Sequence, residues 1–135
     1  MIIAVDFDGT IVEHRYPAIG PPAPHALKWL RKFHREGARL VLWTCRHDRP
    51  GAPELSEARN WLDARGVVLH GCNTHRWRHA DGPKINAHVF IDDHGFGVPL
   101  RIRKDSRSFV DWRIVGPAVF EKLMLWKRMH GSARY

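Results

Sequence analysis

Three short apolar runs each stop abruptly at a residue that can bind a metal or a phosphate. Met1-Ile-Ile-Ala-Val5 ends at Asp6, Arg39-Leu-Val-Leu-Trp43 ends at Thr44, and His88-Val-Phe-Ile91 ends at Asp92. Runs of this length, apolar apart from the leading Arg39 and His88 and in Met1–Val5 rich in β-branched residues, read as buried strands rather than as half-exposed ones with alternating polarity. Helical patterns lie between them. Pro24 stands where a helix could begin, Leu27, Leu30 and Phe33 supply an apolar stripe, and Gly37 supplies a terminator. Pro53 opens a second helix, with Leu55, Ala58, Trp61 and Leu62 on one face and Gly66 at its end. Val67-Val-Leu69 reads as a third strand, Val98–Ile102 as a weaker one, and Val119–Met129 as a final helix.

Strands alternating with helices imply parallel βαβ units. The expected fold is α/β, a three-layer Rossmann-like sandwich with a mainly parallel central sheet. No internal repeat or composition break divides the chain, so residues 1–135 are read as one domain. Open parallel sheets bind ligands beyond the carboxyl ends of their strands. Asp6, Thr44 and Asp92 should therefore gather along one edge.

The segment Asp6-Phe-Asp-Gly-Thr10 carries the most chemistry. Two carboxylates two residues apart can serve different roles if the chain turns sharply, and Gly9 makes such a turn accessible while letting backbone N–H groups approach a phosphate. The same residues could instead form an acidic turn or a helix cap. Their attachment to a strand and the following Gly-Thr favour the ligand site.

This segment resembles motif I of the haloacid dehalogenase (HAD) superfamily of phosphatases. Leu40-Val-Leu-Trp-Thr44 resembles its motif II, Lys84 its motif III, and Phe90-Ile-Asp-Asp93 its motif IV, in the expected order over residues 1 to 93. The resemblance implies a magnesium-dependent phosphomonoester hydrolase working through an aspartyl-phosphate. Asp6 would be the nucleophile, and Asp8 would protonate the leaving oxygen and then activate water. Asp6, Asp8 through its carbonyl and Asp92 would hold Mg²⁺, with Asp93 either binding it directly or supporting a ligand. Thr44 and Lys84 would bind and neutralise the phosphoryl group, with Gly9 and Thr10 beside it. Many relatives insert a cap domain after motif I or between motifs II and III; residues 11–39 and 45–83 leave no room for either. The chain is thus similar to the capless members, including small bacterial or phage-type proteins with a segment like Val12-Glu-His-Arg-Tyr-Pro17.

An uncapped site is open to water and to large substrates, unless a neighbouring subunit supplies the lid. A homo-oligomer is compatible with that. Arg15 and Arg46 are candidates for substrate anions, with surface solvation or an internal salt bridge of equal weight. Lys and Arg number 22 against 14 Asp and Glu, a formal charge of +8. That balance attracts phosphorylated small molecules or a nucleic-acid end. The expected substrate is one of these; a non-catalytic phosphate-binding module is the alternative. No apolar run approaches the ~20 residues that span a bilayer, and no signal peptide is evident, so the expected setting is cytoplasmic, away from membranes.

Three other patterns carry less. His70, Cys72, His75 and His79 fall within ten residues but match no common zinc spacing. Cys72 and Arg78 mimic a cysteine-phosphatase spacing without the glycines that would wrap a phosphate. Of the six tryptophans, several fall on helical or strand faces and read as core; Trp77, between Arg76 and Arg78, is the one that could stack on a base or a sugar, with a partly buried loop aromatic the favoured reading.

Overall fold

The computed structural model describes residues 1–74 and 82–131. In chain order the elements are β1 (Ile2–Val5), α1 (Ala26–Arg35), β2 (Arg39–Leu42), β3 (Asp48–Arg49), β4 (Ala52–Pro53), α2 (Glu54–Asp63), β5 (Gly71–Cys72), β6 (Val89–Ile91), β7 (Leu100–Arg101), β8 (Phe109–Val110) and α3 (Trp112–His130). Strands β5, β2, β1 and β6 form a parallel four-stranded sheet in that order. β3–β4 and β7–β8 are two short antiparallel hairpins.

Strand order explains where the covering elements lie. The steps from β1 to β2 and from β2 to β5 move in one direction across the sheet, so right-handed crossovers put α1 and α2 on the same face. The step from β5 back past β1 to β6 reverses direction, and its connection falls on the other face. The side chains agree. Ile3, Val5, Leu40 and Leu42 belong to one buried cluster with Leu30 and Phe33 of α1, Ala58 and Leu62 of α2, and Val115, Val119 and Leu123 of α3. Ala4 and Val41 point the opposite way, into a small cluster with Ile85, flanked by Ile2, Trp43 and Ala87. Among the described residues, the helices cover one face and residues from the β5–β6 connection cover the other.

Helix α3 is longer than the pattern over Val119–Met129 predicts. It starts at Trp112, capped by the Asp111 carboxylate, which accepts from the Arg113 backbone N–H at 3.1 Å. The predicted strand over Val67–Leu69 is displaced. Val67 N–H still bonds back to Leu62 at the end of α2, and pairing with β2 begins with His70 N–H donating to Leu40 O (2.7 Å) before β5 itself at Gly71–Cys72.

A candidate metal and phosphate site at the carboxyl edge

Register places the site. Val5 lies level with Leu42 and with Ile91 across the sheet, so the next residues, Asp6, Trp43 and Asp92, form one row just beyond it. Asp6 N–H donates to Ile91 O at 2.9 Å, which holds the two acidic turns side by side. Carboxylate oxygens of Asp6, Asp92 and Asp93 all lie within 4.8 Å of one another.

The turn after β1 is held from several sides. Thr10, Ile11 and Val12 N–H groups all point back to Phe7 O, and Gly9 N–H donates to Val12 O at 2.7 Å. Gly9 has φ +78°, and a Cβ there would overlap the His14 imidazole and the Asp93 carboxylate. Glycine is thus required twice, by conformation and by space. Val110 N–H of β8 donates to Gly9 O at 3.0 Å, and the buried Trp112 indole donates to Thr10 O at 2.7 Å. Thr10, fully buried, donates its hydroxyl to Asp6 Oδ2 and accepts from Asp93 N–H, both at 3.1 Å. One side chain therefore fixes two of the three acids.

Burial pushes the Asp6 carboxyl up from 3.8 to about 7, and the neighbouring charges of Asp92 and Asp93 add to the effect; the Phe7 backbone N–H and the Thr10 hydroxyl oppose it. Crowded, partly desolvated carboxylates make a hard-oxygen donor set, and a divalent cation among them would relieve both burial and mutual repulsion. His14 meets Asp93 Oδ2 through Nε2 at 2.9 Å, and the Asp92 carboxylate accepts from His94 N–H at 2.8 Å.

Asp8 sits on the other side of the turn. Arg46 donates to it through Nε and Nη2, both at 2.7 Å, and also donates to Pro17 O (3.0 Å) and Ala18 O (2.9 Å). Arg46 is only 1% exposed. Of its two readings from sequence, the internal salt bridge is what this geometry contains; the guanidinium is not turned outward to an anion. Thr44 is partly exposed, and its hydroxyl accepts from Arg46 N–H at 3.1 Å. Arg15 and Lys84 are exposed, and no hydrogen bond or ion pair joins either to this cluster among the described residues.

Asn73 escapes the sequence reading. It follows β5, lies in the left-handed region at φ +52°, and clamps the loop after β2 with both ends of its amide. Its Oδ1 accepts from Thr44 N–H at 2.8 Å and its Nδ2 donates to Arg46 O at 3.1 Å. The available signal was positional: an asparagine straight after a strand, where αL is tolerated. Tyr16, in the Val12–Pro17 segment, is tied down as well. Its hydroxyl donates to Glu54 Oε2 at 2.7 Å, while Arg49 binds Oε1 of the same carboxylate at 2.7 Å.

Within the His70–His79 segment, His75 and His79 lie outside the described residues, as do Arg76, Trp77 and Arg78. Cys45 and Cys72 are free thiols, with burial raising that of Cys72.

The fold and this edge define an α/β protein with a parallel four-stranded sheet and an acidic cluster at the carboxyl ends of adjacent strands. Among solved structures, the chain is similar to the conserved protein coded by a locus from Bacteroides thetaiotaomicron, at 39% identity, over 90% of this chain and 91% of that one, with a TM-score of 0.73. The chain belongs to the same family as that protein. No protein-family model matches the chain, and no curated protein matches it. No helix among the described residues is long and apolar enough to cross a membrane.

Proposed function

We propose that the chain is a magnesium-dependent phosphomonoester hydrolase of the haloacid dehalogenase type, capless and cytoplasmic, built as a three-layer Rossmann-like sandwich. The observation that carries this reading is the convergence of Asp6, Asp92 and Asp93 within 4.8 Å beyond adjacent parallel strands, beside the Gly9–Thr10 turn. Asp6, Asp92, Asp93 and the Asp8 carbonyl would hold the metal, which when bound supplies charge neutralisation between carboxylate and phosphate.

The protein groups then divide the work. Asp6 Oδ attacks phosphorus, forming an acyl phosphate as the bond to the ester oxygen breaks. Asp8 gives its proton to that leaving oxygen, then takes one from the water that attacks phosphorus, which frees phosphate and restores Asp6. Thr44 donates to a phosphoryl oxygen, and Lys84 balances its charge. Arg46 orients Asp8 through its two-pronged bond.

A second reading, a non-catalytic phosphate-binding module, draws on the same Arg46, which occupies both oxygens of the group assigned to proton transfer. Hydrolysis of p-nitrophenyl phosphate by the parent and by Asp6→Asn separates the two. Activity that requires Mg²⁺ and falls by about a thousandfold or more in the variant is the expected result. Activity that survives the substitution excludes the aspartate nucleophile. Magnesium binding without hydrolysis favours the binding module.

A further inference from the structure

Among the described residues, the loop that flanks the mouth of the site is pinned along its length. Arg46 holds the carbonyls of Pro17 and Ala18, Glu54 holds the Tyr16 hydroxyl, and Glu13 N–H donates to Pro21 O at 2.9 Å. The buried Glu13 carboxylate also binds Arg103 Nη1 at 2.8 Å, which ties this loop to the β7–β8 hairpin. That hairpin is anchored beside the site at its other end, through Val110 N–H on Gly9 O.

The elements that flank this opening carry exposed cations and aromatic rings, and some of these have no structural task. Arg103 is used by Glu13, and Arg113 is used by Asp111 at 2.7 Å. Lys104 and Arg107 on the hairpin, and Arg15 on the pinned loop, are exposed and form no ion pair among the described residues. Asp105, the acidic residue at the hairpin tip, is likewise exposed and offsets one of these charges. Phe96, four residues beyond Asp92, is fully exposed at 110%, and Tyr16 is 54% exposed with its ring fixed by its hydroxyl. A phenylalanine wholly in water contributes nothing to the core. On the segment that leads from Asp92 to the basic hairpin, it has the make-up of a base-stacking platform.

We propose that this mouth receives the phosphorylated end of a single-stranded oligonucleotide, with Lys104, Arg107 and Arg15 on the following phosphates and Phe96 and Tyr16 against its bases. The proposal rests on the phosphatase reading for the role of Asp6 and extends it to a substrate class. A monophosphate of a small metabolite would leave the hairpin cations and Phe96 without a partner; a chain carrying one phosphate per nucleotide engages all of them.

Fluorescence anisotropy tests this without turnover, using the full chain carrying Asp6→Asn, Mg²⁺, and a labelled short single strand ending in phosphate (3′ or 5′) or in hydroxyl. Affinity should be higher for one phosphate-ended strand than for its hydroxyl-ended control and should fall steeply between about 50 and 200 mM salt. Lys104→Ala with Arg107→Ala should flatten the log–log salt slope by about 1.4, at roughly 0.7 for each phosphate no longer neutralised. Phe96→Ala should weaken binding about tenfold and leave that slope in place. Equal binding of phosphate- and hydroxyl-ended strands, an unchanged slope in the double variant, or a nucleoside bisphosphate that binds as tightly as the strand would each overturn the proposal. The two readings fail separately. Hydrolysis of aryl phosphate with no strand binding removes the oligonucleotide alone, whereas end-specific binding without hydrolysis removes the phosphatase alone.

Discussion

Asp6 owes its altered acidity to crowding, and the altered acidity has a sign that can be tested. Its carboxyl stands at about 7 in the folded chain against 3.8 ordinarily, because burial and two neighbouring carboxylates disfavour the anion. The folded state thus holds this proton more tightly than the unfolded one. The associated stabilisation is complete below about pH 4, shrinks as pH rises, and is gone above about pH 7. The rise from 3.8 to about 7 corresponds to about 4 kcal/mol. In the absence of divalent metal, denaturant unfolding should therefore show Asp6→Asn gaining on the parent from about pH 4 to about pH 8, by up to that amount. A gap between the two proteins that does not change with pH would mean that Asp6 ionises normally. Mg²⁺ at high pH should narrow the gap, since the parent's anion then has a cation beside it.

Among the elements, α3 shows what sequence periodicity conveys and what it does not. Its second half is legible from Phe120, Leu123 and Met124, but Gly116 and Pro117 weaken the helical signal in its first turns. The structure supplies the reason for the glycine. A Cβ at Gly116 would run into the indole of Trp29 on α1, so the two helices meet at a point where only hydrogen fits. Trp29 packs there against Phe33 and Phe120, with ring centroids 6.0 Å away in each case. Gly116→Ala should lower stability by about 1–3 kcal/mol from overpacking, despite alanine's better helix propensity. A thermal midpoint at or above the parent's would show that Trp29 moves aside freely. The strand-terminal acids Asp6 and Asp92 were legible for the opposite reason: polarity changes within one residue there, and parallel pairing then fixes their common edge. The Asn73 clamp and the Arg46 fork were not legible as such, because they join residues 27 and 38 positions apart through side-chain geometry that no local pattern encodes.

Across the molecule, the described residues cover the two faces of the sheet unequally, and the thinner side bears on the site. Three helices shield Ile3, Val5, Leu40 and Leu42, whereas Ala4 and Val41 share their small cluster with Ile85. Ile85 is 5% exposed and immediately follows Lys84, the residue assigned to balance phosphate charge. Its insertion against Ala4 and Val41 anchors the chain next to Lys84. Truncation here opens a void against the sheet and loosens the segment that carries the lysine. Ile85→Ala should destabilise the chain by about 2–4 kcal/mol, as at other buried aliphatic sites, and should reduce phosphate hydrolysis further than the unfolded fraction accounts for. Urea unfolding paired with activity at a temperature where the variant stays folded checks both halves. A loss below about 1 kcal/mol would mean that the β5–β6 connection is held by residues other than Ile85. Full activity in a destabilised but folded variant would mean that Lys84 does not depend on this anchor.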